Sequence, residues 1–367
     1  VDLPVNAYQY TFATWNTFLT DIINLAIAGI GLVGRRHADA IDKLPGVSLC
    51  AVVDPEEHGR NYAEKRNLPC LNSLEDLFNE VSPDGVILAV PTKLHIEQGL
   101  VCVKHGCPLL VEKPLGTTSS ESQKLVSAAE EAGVVLLVGH HRRYNPLIQK
   151  ARDVITAGDI GRVRAVHVST WFYKPDDYFK KAPWRKRNGA GPISVNLVHD
   201  VDLIRYLCGE VETVQAQSTP SVRGFENEDV AAAVLKFCNG AIGTITLSDS
   251  IVAPWSWELT SREYPIYPPT GESSIFIGGS HGSLSLPDLR LWTHRNGLRD
   301  WWTPISATTL TREGSDPLVN QVAHFAEVIK KTADPLVPGL EGLQTVKVIE
   351  AIQASCINGQ VVAVDDI

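Results

Sequence analysis

The chain is expected to fold as an α/β protein in two parts: an N-terminal doubly wound parallel sheet, then a C-terminal α+β domain with a large, mostly antiparallel sheet. Three observations predict this. Between residue 22 and about residue 145, short strands that are apolar throughout alternate with helical stretches, the pattern of a parallel sheet covered on both faces. After residue 145 the strands mostly alternate apolar with polar, as half-buried antiparallel strands do. The length of 367 residues also exceeds what a single core usually serves. The domain limits read this way are 1–21 for an N-terminal extension, 22–145 for the first domain and 146–367 for the second.

Residues 1–21 are aromatic and polar without clear periodicity, and no function is assigned to them. They lack the basic start and cleavage site of a secretory signal, and no apolar run approaches membrane-spanning length, so the cytoplasm is the expected location. INLAIAGIGLVGRRHADAI, from Ile23, reads as a buried strand, a Gly-rich turn and a helix opening near Leu32. Strands follow at SLCAVVD, GVILAV, PLLVEKP and VVLLVGHH, with helices at 60–66, 95–106 and 119–133 between them. In the second part RVRAVHVSTWFY, TVQAQS, VAAAVLKF, AIGTITLS, SSIFIGG and LRLWTH are β-like, and Cys238-Asn239-Gly240 is a hairpin turn. Leu197, Val201, Ile204 and Cys208 recur at helical spacing, with Gly209 as the stop. YPIYPPTGE (264–272) is a loop, and helices over 317–331 and 340–357 complete the chain.

Composition narrows the partners. A net charge of −9 with no sustained Lys/Arg run excludes nucleic acid or an anionic membrane as the main partner and leaves a small molecule. Seven scattered cysteines show neither a CxxC pair nor zinc-like spacing, so they read as reduced core thiols and no metal site is expected. An open second-domain sheet must be covered, which points to a homo-oligomer, a dimer or tetramer.

Gly29, Gly31 and Gly34 form G-x-G-x-x-G between a strand and a helix. Such glycines allow the tight turn, close approach of a pyrophosphate, and close helix-on-strand packing. The helix start at Leu32 and Val33 offers free N–H groups to phosphates. Asp54, about 20 residues on at the end of the second strand, is placed to accept the ribose hydroxyls. Its charge repels a 2′-phosphate, favouring NAD over NADP, although Arg60 lies close enough in sequence to accommodate one. Pro91 and Thr92 end the strand GVILAV, and His95 opens the next helix; these residues either contact the cofactor or cap the helix.

A dinucleotide site acquires a reaction only when a proton-handling group faces it. In Glu112-Lys113-Pro114 the lysine stands at the carboxyl end of another parallel strand, in the same crevice, with Glu112 counted among the cofactor residues. A partly desolvated lysine beside a cationic nicotinamide has a lowered pKa, which suits binding or shuttling a hydroxyl proton. His199 titrates near neutrality, and Asn196, His199 and Asp202 fall three apart on one polar helix flank. Arg142, Arg143 and Tyr144 follow the last parallel strand at the junction, with Arg143 read toward the cofactor and Arg142 and Tyr144 toward the substrate. Arg185, in the Trp184-Arg185-Lys186-Arg187 loop, is a candidate for a substrate carboxylate or several hydroxyls. Trp255 and Trp257 are either a sugar-stacking wall or core or subunit-interface aromatics, and His281 sits in a turn.

AGIGLVG, AVVD, AVPTKLH, VEKPL, GHHRRYNP and HDVDLIRYLCGE together resemble the Gfo/Idh/MocA oxidoreductases, which include glucose–fructose oxidoreductase and inositol dehydrogenase, over residues 22–357. The resemblance implies a Rossmann domain, a Lys113 that contacts nicotinamide ribose and substrate hydroxyl, and His199 as the partner acid/base. It implies an NAD(H)-dependent oxidoreductase acting on a secondary alcohol or ketone of a sugar, cyclitol or polyhydroxy acid. Two other outcomes on the same scaffold are an NAD-dependent glycosidase using transient ring oxidation and a non-catalytic NAD-sensing regulator. One position departs from the pattern. Polyol dehydrogenases of this family commonly carry Asp four residues before the His, where this chain has Val195. Asn196 is the nearest polar substitute, and an amide orients a substrate without taking its proton.

Overall fold

The computed structural model describes residues 22–294 and 297–367; the proposed extension, 1–21, lies outside them. The first sheet has the order β3-β2-β1-β4-β5-β6, all parallel. Its chain runs β1 (Ile23–Ala28), α1 (Leu32–Ile41), β2 (Val47–Val53), α2 (Glu57–Lys65), β3 (Cys70–Leu71), α3 (Leu74–Glu80) and β4 (Gly85–Leu88). It continues through α4 (His95–Lys104), β5 (Leu109–Val111), α5 (Ser119–Ala132) and β6 (Leu136–Val138). The strands are short and buried on both faces, as their unbroken Val, Ile, Leu and Ala content requires. The carboxyl ends of β1 and β4 come together where the strand order reverses, which opens the ligand crevice of such a sheet. The two-residue β3 and the helix α3 carry too few periodic positions to be read from the sequence.

The junction carries α6 (Pro146–Thr156), capped by Asn145, whose side chain accepts from the Leu147 N–H. Then come β7 (Val163–Trp171), α7 (Asp176–Lys180), α8 (Val198–Cys208), β8 (Val211–Pro220), β9 (Glu228–Phe237), β10 (Ile242–Ser248) and α9 (Trp257–Thr260). They are followed by β11 (Ile275–Gly279), β12 (Gly282–Leu286), β13 (Arg290–Thr293) and β14 (Ser306–Thr309). Last are α10 (Pro317–Ile329), α11 (Gly339–Asn358) and β15 (Val362–Ala363). The second sheet has nine strands in the order β14-β13-β12-β11-β7-β10-β9-β8-β15, antiparallel except for β7 beside β10. The turn at Cys238-Asn239-Gly240 closes as read, with Ile242 opposite Lys236.

Two expectations are corrected. A boundary at 145/146 assigns everything after it to the second domain, yet α10 lays Leu318, Val322, Phe325 and Ala326 against Leu25, Ile27 and Ile87 of the first sheet. Leu343 and Val346 of α11 likewise join the core that includes Leu109 and Val111, so the chain's end returns to cover the first domain. The cysteines are all free, and Cys102, Cys107 and Cys208 are buried, but Cys238 is exposed in the hairpin turn. Among the described residues no helix is long and apolar enough to cross a membrane.

Helix α8 is held by its buried stripe: Leu197, Val201, Ile204, Leu207 and Cys208 are all in the second core. Each fully buried Leu or Ile there contributes roughly 1.5–3 kcal/mol. One widened helical turn over Ile193–Leu197 precedes it, and Gly209 ends it at φ 107°. Such a wide turn re-aims the side chains that precede the regular helix.

Candidate active site

The Gly-rich turn has the geometry of a dinucleotide cradle. Gly29 has φ 83°, and a side chain there would strike the Ala89 carbonyl at the end of β4. A Cβ on Gly34 would lie 1.9 Å from the Gly29 oxygen, so only glycine lets α1 pack this tightly. At Gly31 a side chain would meet nothing within 4 Å, and Leu32 beside it is 73% exposed. No side chain caps the start of α1, which leaves its first N–H groups to an anion. Asp54 is buried and accepts from the Ile30 N–H at 2.9 Å and the Glu56 N–H at 3.0 Å, with His58 at 3.3 Å. It ties the turn to the end of β2, and its Oδ1 keeps a lone pair for a further donor. Arg60 donates to the Pro55 carbonyl at 2.7 Å. Pro91 is exposed and Thr92 half-buried, on the loop that leaves β4. These residues fit a dinucleotide.

Three of the expected cofactor residues are turned elsewhere. His95 is 1% exposed, and its ring nitrogens lie 2.9 Å from the carbonyls of Val90 and Pro114, so it staples the two crevice loops together. Glu112 turns its carboxylate to His37 at 2.8 Å and to the Lys113 N–H at 3.1 Å. Burial opposes its charge, but the His37 hydrogen bond and the charges of His37, His141 and Lys113 outweigh it and hold the carboxyl down at about 2. Arg143 is spent on Asp202 at 2.7 Å and Glu341 at 2.7 Å.

The junction arginines are therefore structural. Arg142 pairs with Asp200 at 2.8 Å and Glu258 at 2.9 Å, and Arg205 with Glu210 at 2.9 Å and Glu341 at 3.3 Å. Tyr144 is buried against His324 rather than facing a substrate. Asp202 faces Arg143, so it does not share an open flank with His199. Trp257 is core, with its indole N–H on Glu263 at 3.1 Å, while Trp255 packs edge-on to Trp171. His281 bonds to Ser280 in its turn.

Lys113 and His199 are brought together. Burial and the charges of Lys113, Arg142, His141 and His140 hold His199 well below its ordinary 6.5. Its Nδ1 is buried without a partner. Burial also lowers Lys113 from 10.5; Glu112 and Glu258 oppose this, while Arg142 and Lys174 reinforce it. Among the described residues the Lys113 ammonium makes no ion pair, because Glu112 is committed to His37.

Four neighbours escaped sequence reading. His141 stands edge-on to His199 with ring centroids 5.5 Å apart, and Glu263 holds its other side at 3.0 Å. Glu263 is buried, which opposes its charge, but His141, Arg142 and Asn145 hold it down at about 2. Lys174, 6% exposed, donates to Asn196 Oδ1 at 2.7 Å, and Glu258 completes this wall. For Lys174 a signal existed: Lys174-Pro175 ends a strand, as Lys113-Pro114 does. Arg185 lies over the Tyr178 ring at 3.8 Å and half-buried.

A glycine-rich nucleotide cradle facing a paired lysine and histidine, on a doubly wound domain backed by an antiparallel sheet, defines a two-domain nicotinamide-dependent oxidoreductase. Residues 23–140 match the oxidoreductase family with an NAD-binding Rossmann fold, and residues 148–285 match the GFO/IDH/MocA C-terminal domain. The chain belongs to the Gfo/Idh/MocA oxidoreductase family. It is 31% identical over 278 residues to the 2,7-anhydro-N-acetylneuraminate hydratase of Escherichia coli K12, covering 72% of this chain and 68% of that protein. It is 26% identical to the scyllo-inositol 2-dehydrogenase (NAD(+)) of Bacillus subtilis 168, covering 94% and 96%. The WlbA dehydrogenase from Bordetella pertussis, solved with NADH and UDP-GlcNAcA, superposes with a TM-score of 0.75 at 25% identity, covering 93% of this chain and 98% of that one.

Proposed function

We propose that this protein is an NAD-dependent dehydrogenase of a secondary alcohol on a polyhydroxylated small molecule, with Lys113 and His199 as its catalytic pair. The observation that carries the reading is the unpaired Lys113 ammonium beside a His199 kept neutral by burial and surrounding cations. A bound nicotinamide dinucleotide, held by the Gly29–Gly34 turn and Asp54, supplies the hydride acceptor. Lys113 donates to the substrate oxygen and stabilises the negative charge that grows there. His199, neutral at neutral pH, takes the hydroxyl proton, so the alcohol loses that proton from oxygen and a hydride from carbon and becomes a ketone. The test is a screen of sugars, cyclitols and hydroxy acids with NAD reduction as the readout; turnover of none of them overturns the reading.

The pH profile has a definite sign. A base must be neutral and a polarising lysine charged, so kcat/KM rises through the His199 pKa and falls through that of Lys113. The acid limb is expected below pH 6.5 and the basic limb below 10.5, both displaced from the ordinary values by burial. An acid limb above 7 counts against His199 as the base.

For the cofactor, Asp54 favours the unphosphorylated ribose, and Arg60 is occupied by a backbone carbonyl. Calorimetry is expected to give tighter binding of NAD than NADP, and the reverse preference removes Asp54 from this role. The hydratase relative favours a second reading, in which the hydride returns to the substrate and no net oxidation occurs; turnover without accumulation of NADH identifies it.

The open face of the nine-stranded sheet exposes Val234 on β9, Ile242 on β10 and Phe276 on β11, with Thr244 and His167 between Val234 and Phe276, and large exposed apolar side chains gathered on one sheet face mark an interface. We read it as the contact of a homo-oligomer, a dimer or tetramer. Sedimentation is expected to give a multiple of 40.0 kDa, and a monomer at micromolar concentration refutes this.

A further inference from the structure

We infer that the substrate is an acid, its carboxylate held by Lys174 together with Arg185 on the second-domain wall of the chamber. The inference rests on the dehydrogenase reading above and adds the charge of the molecule that is oxidised.

Two cations of this site, Lys113 and Arg185, have no ion pair among the described residues, and a third, Lys174, shares its carboxylate. Asp249 is shared between the half-buried Arg223 at 2.9 Å and the buried Lys174 at 3.4 Å. The nearer and better aligned partner is Arg223, which also donates to the Asp249 carbonyl at 2.8 Å. At 2.7 Å the closest acceptor of Lys174 is a neutral amide, Asn196 Oδ1, and an ammonium carries three donors. Arg185 makes no ion pair among the described residues: it donates Nη1 to the Tyr178 carbonyl at 2.8 Å, and its Nε is buried without a partner. Lys113 is likewise unpaired. Glu258, whose charge acts on both Lys113 and Lys174, is committed to Arg142, and its Oε2 is buried and unpartnered, an acceptor for a substrate hydroxyl. Lys174 lies close enough for its charge to act on Lys113, so an anion on Lys174 reaches the chamber where the reacting hydroxyl sits. Partly desolvated cations short of a carboxylate are costly, and a bound carboxylate relieves that cost with charge-assisted hydrogen bonds.

The experiment uses matched pairs that differ only in a carboxylate against a hydroxymethyl group, such as D-gluconate and D-glucitol, together with uronates against their parent sugars. Calorimetry is run on the NADH-loaded protein, with NAD reduction followed separately. At least one acid is expected to bind about tenfold or more tightly than its neutral counterpart, the worth of one charge-assisted hydrogen bond. Asn196→Asp, which sets a carboxylate on Lys174 without changing shape, and Arg185→Gln are each expected to collapse that ratio. If no acid outbinds its neutral partner, or if the preference survives both substitutions, the inference is overturned. Acid preference without any NAD reduction supports this site and overturns the dehydrogenase reading instead.

Discussion

Lys113→Met is expected to lower turnover by about 10²–10⁴-fold, the range a positioned proton-handling group supplies, and at the same time to raise the melting temperature. The two effects have one cause. The Lys113 ammonium is partly desolvated without an ion-pair partner, because the neighbouring Glu112 is locked to His37. Methionine keeps the stem's packing and removes the unpaired charge, which relieves the folded state. A residue that costs stability and supports chemistry shows this opposed pair of changes, whereas a structural lysine loses both together. Steady-state kinetics and a thermal melt on the same preparation decide between them; unchanged turnover would falsify the mechanism.

Arg143→Met is expected to cost about 3–5 kcal/mol of stability, the range measured when one partner of a buried pair is removed. Arg143 and Asp202 are 2% and 1% exposed, and the pair joins the end of the first sheet to helix α8. After the substitution Asp202 keeps the Thr345 hydroxyl, at 3.5 Å, and His140, at 3.8 Å. Burial holds His140 down at about 4 despite that carboxylate, so at neutral pH it offers no compensating charge. The double variant Arg143→Met with Asp202→Leu is expected to recover most of the loss, since replacing a whole buried pair by apolar groups is often near neutral. A double variant no more stable than the single one shows that the loss comes from packing instead.

These two residues also mark where reading by sequence stops. Lys113 was legible because the carboxyl end of a parallel strand is a place, and a short apolar run followed by Lys-Pro identifies it. Arg143 stands equally near the crevice in sequence, but its partners are 59 and 198 residues away, and nothing local reports them. The same holds for His95, which reads as a helix opener at the crevice until Val90 and Pro114 are seen to occupy its ring.

The sequence by itself determined the doubly wound first sheet, the Gly29–Gly34 turn, the hairpin at Asn239-Gly240, the helix bearing His199 and the strand end bearing Lys113. These depend on periodicity, backbone conformation and position at a strand end, all properties of a few consecutive residues. The tertiary structure alone decided which charges were already satisfied: Arg142, Arg143 and Glu112 were withdrawn into ion pairs, while Lys174 and His141 were added to the chamber. Desolvation and pairing are set by groups that converge from both domains, and the chain's order does not record that convergence.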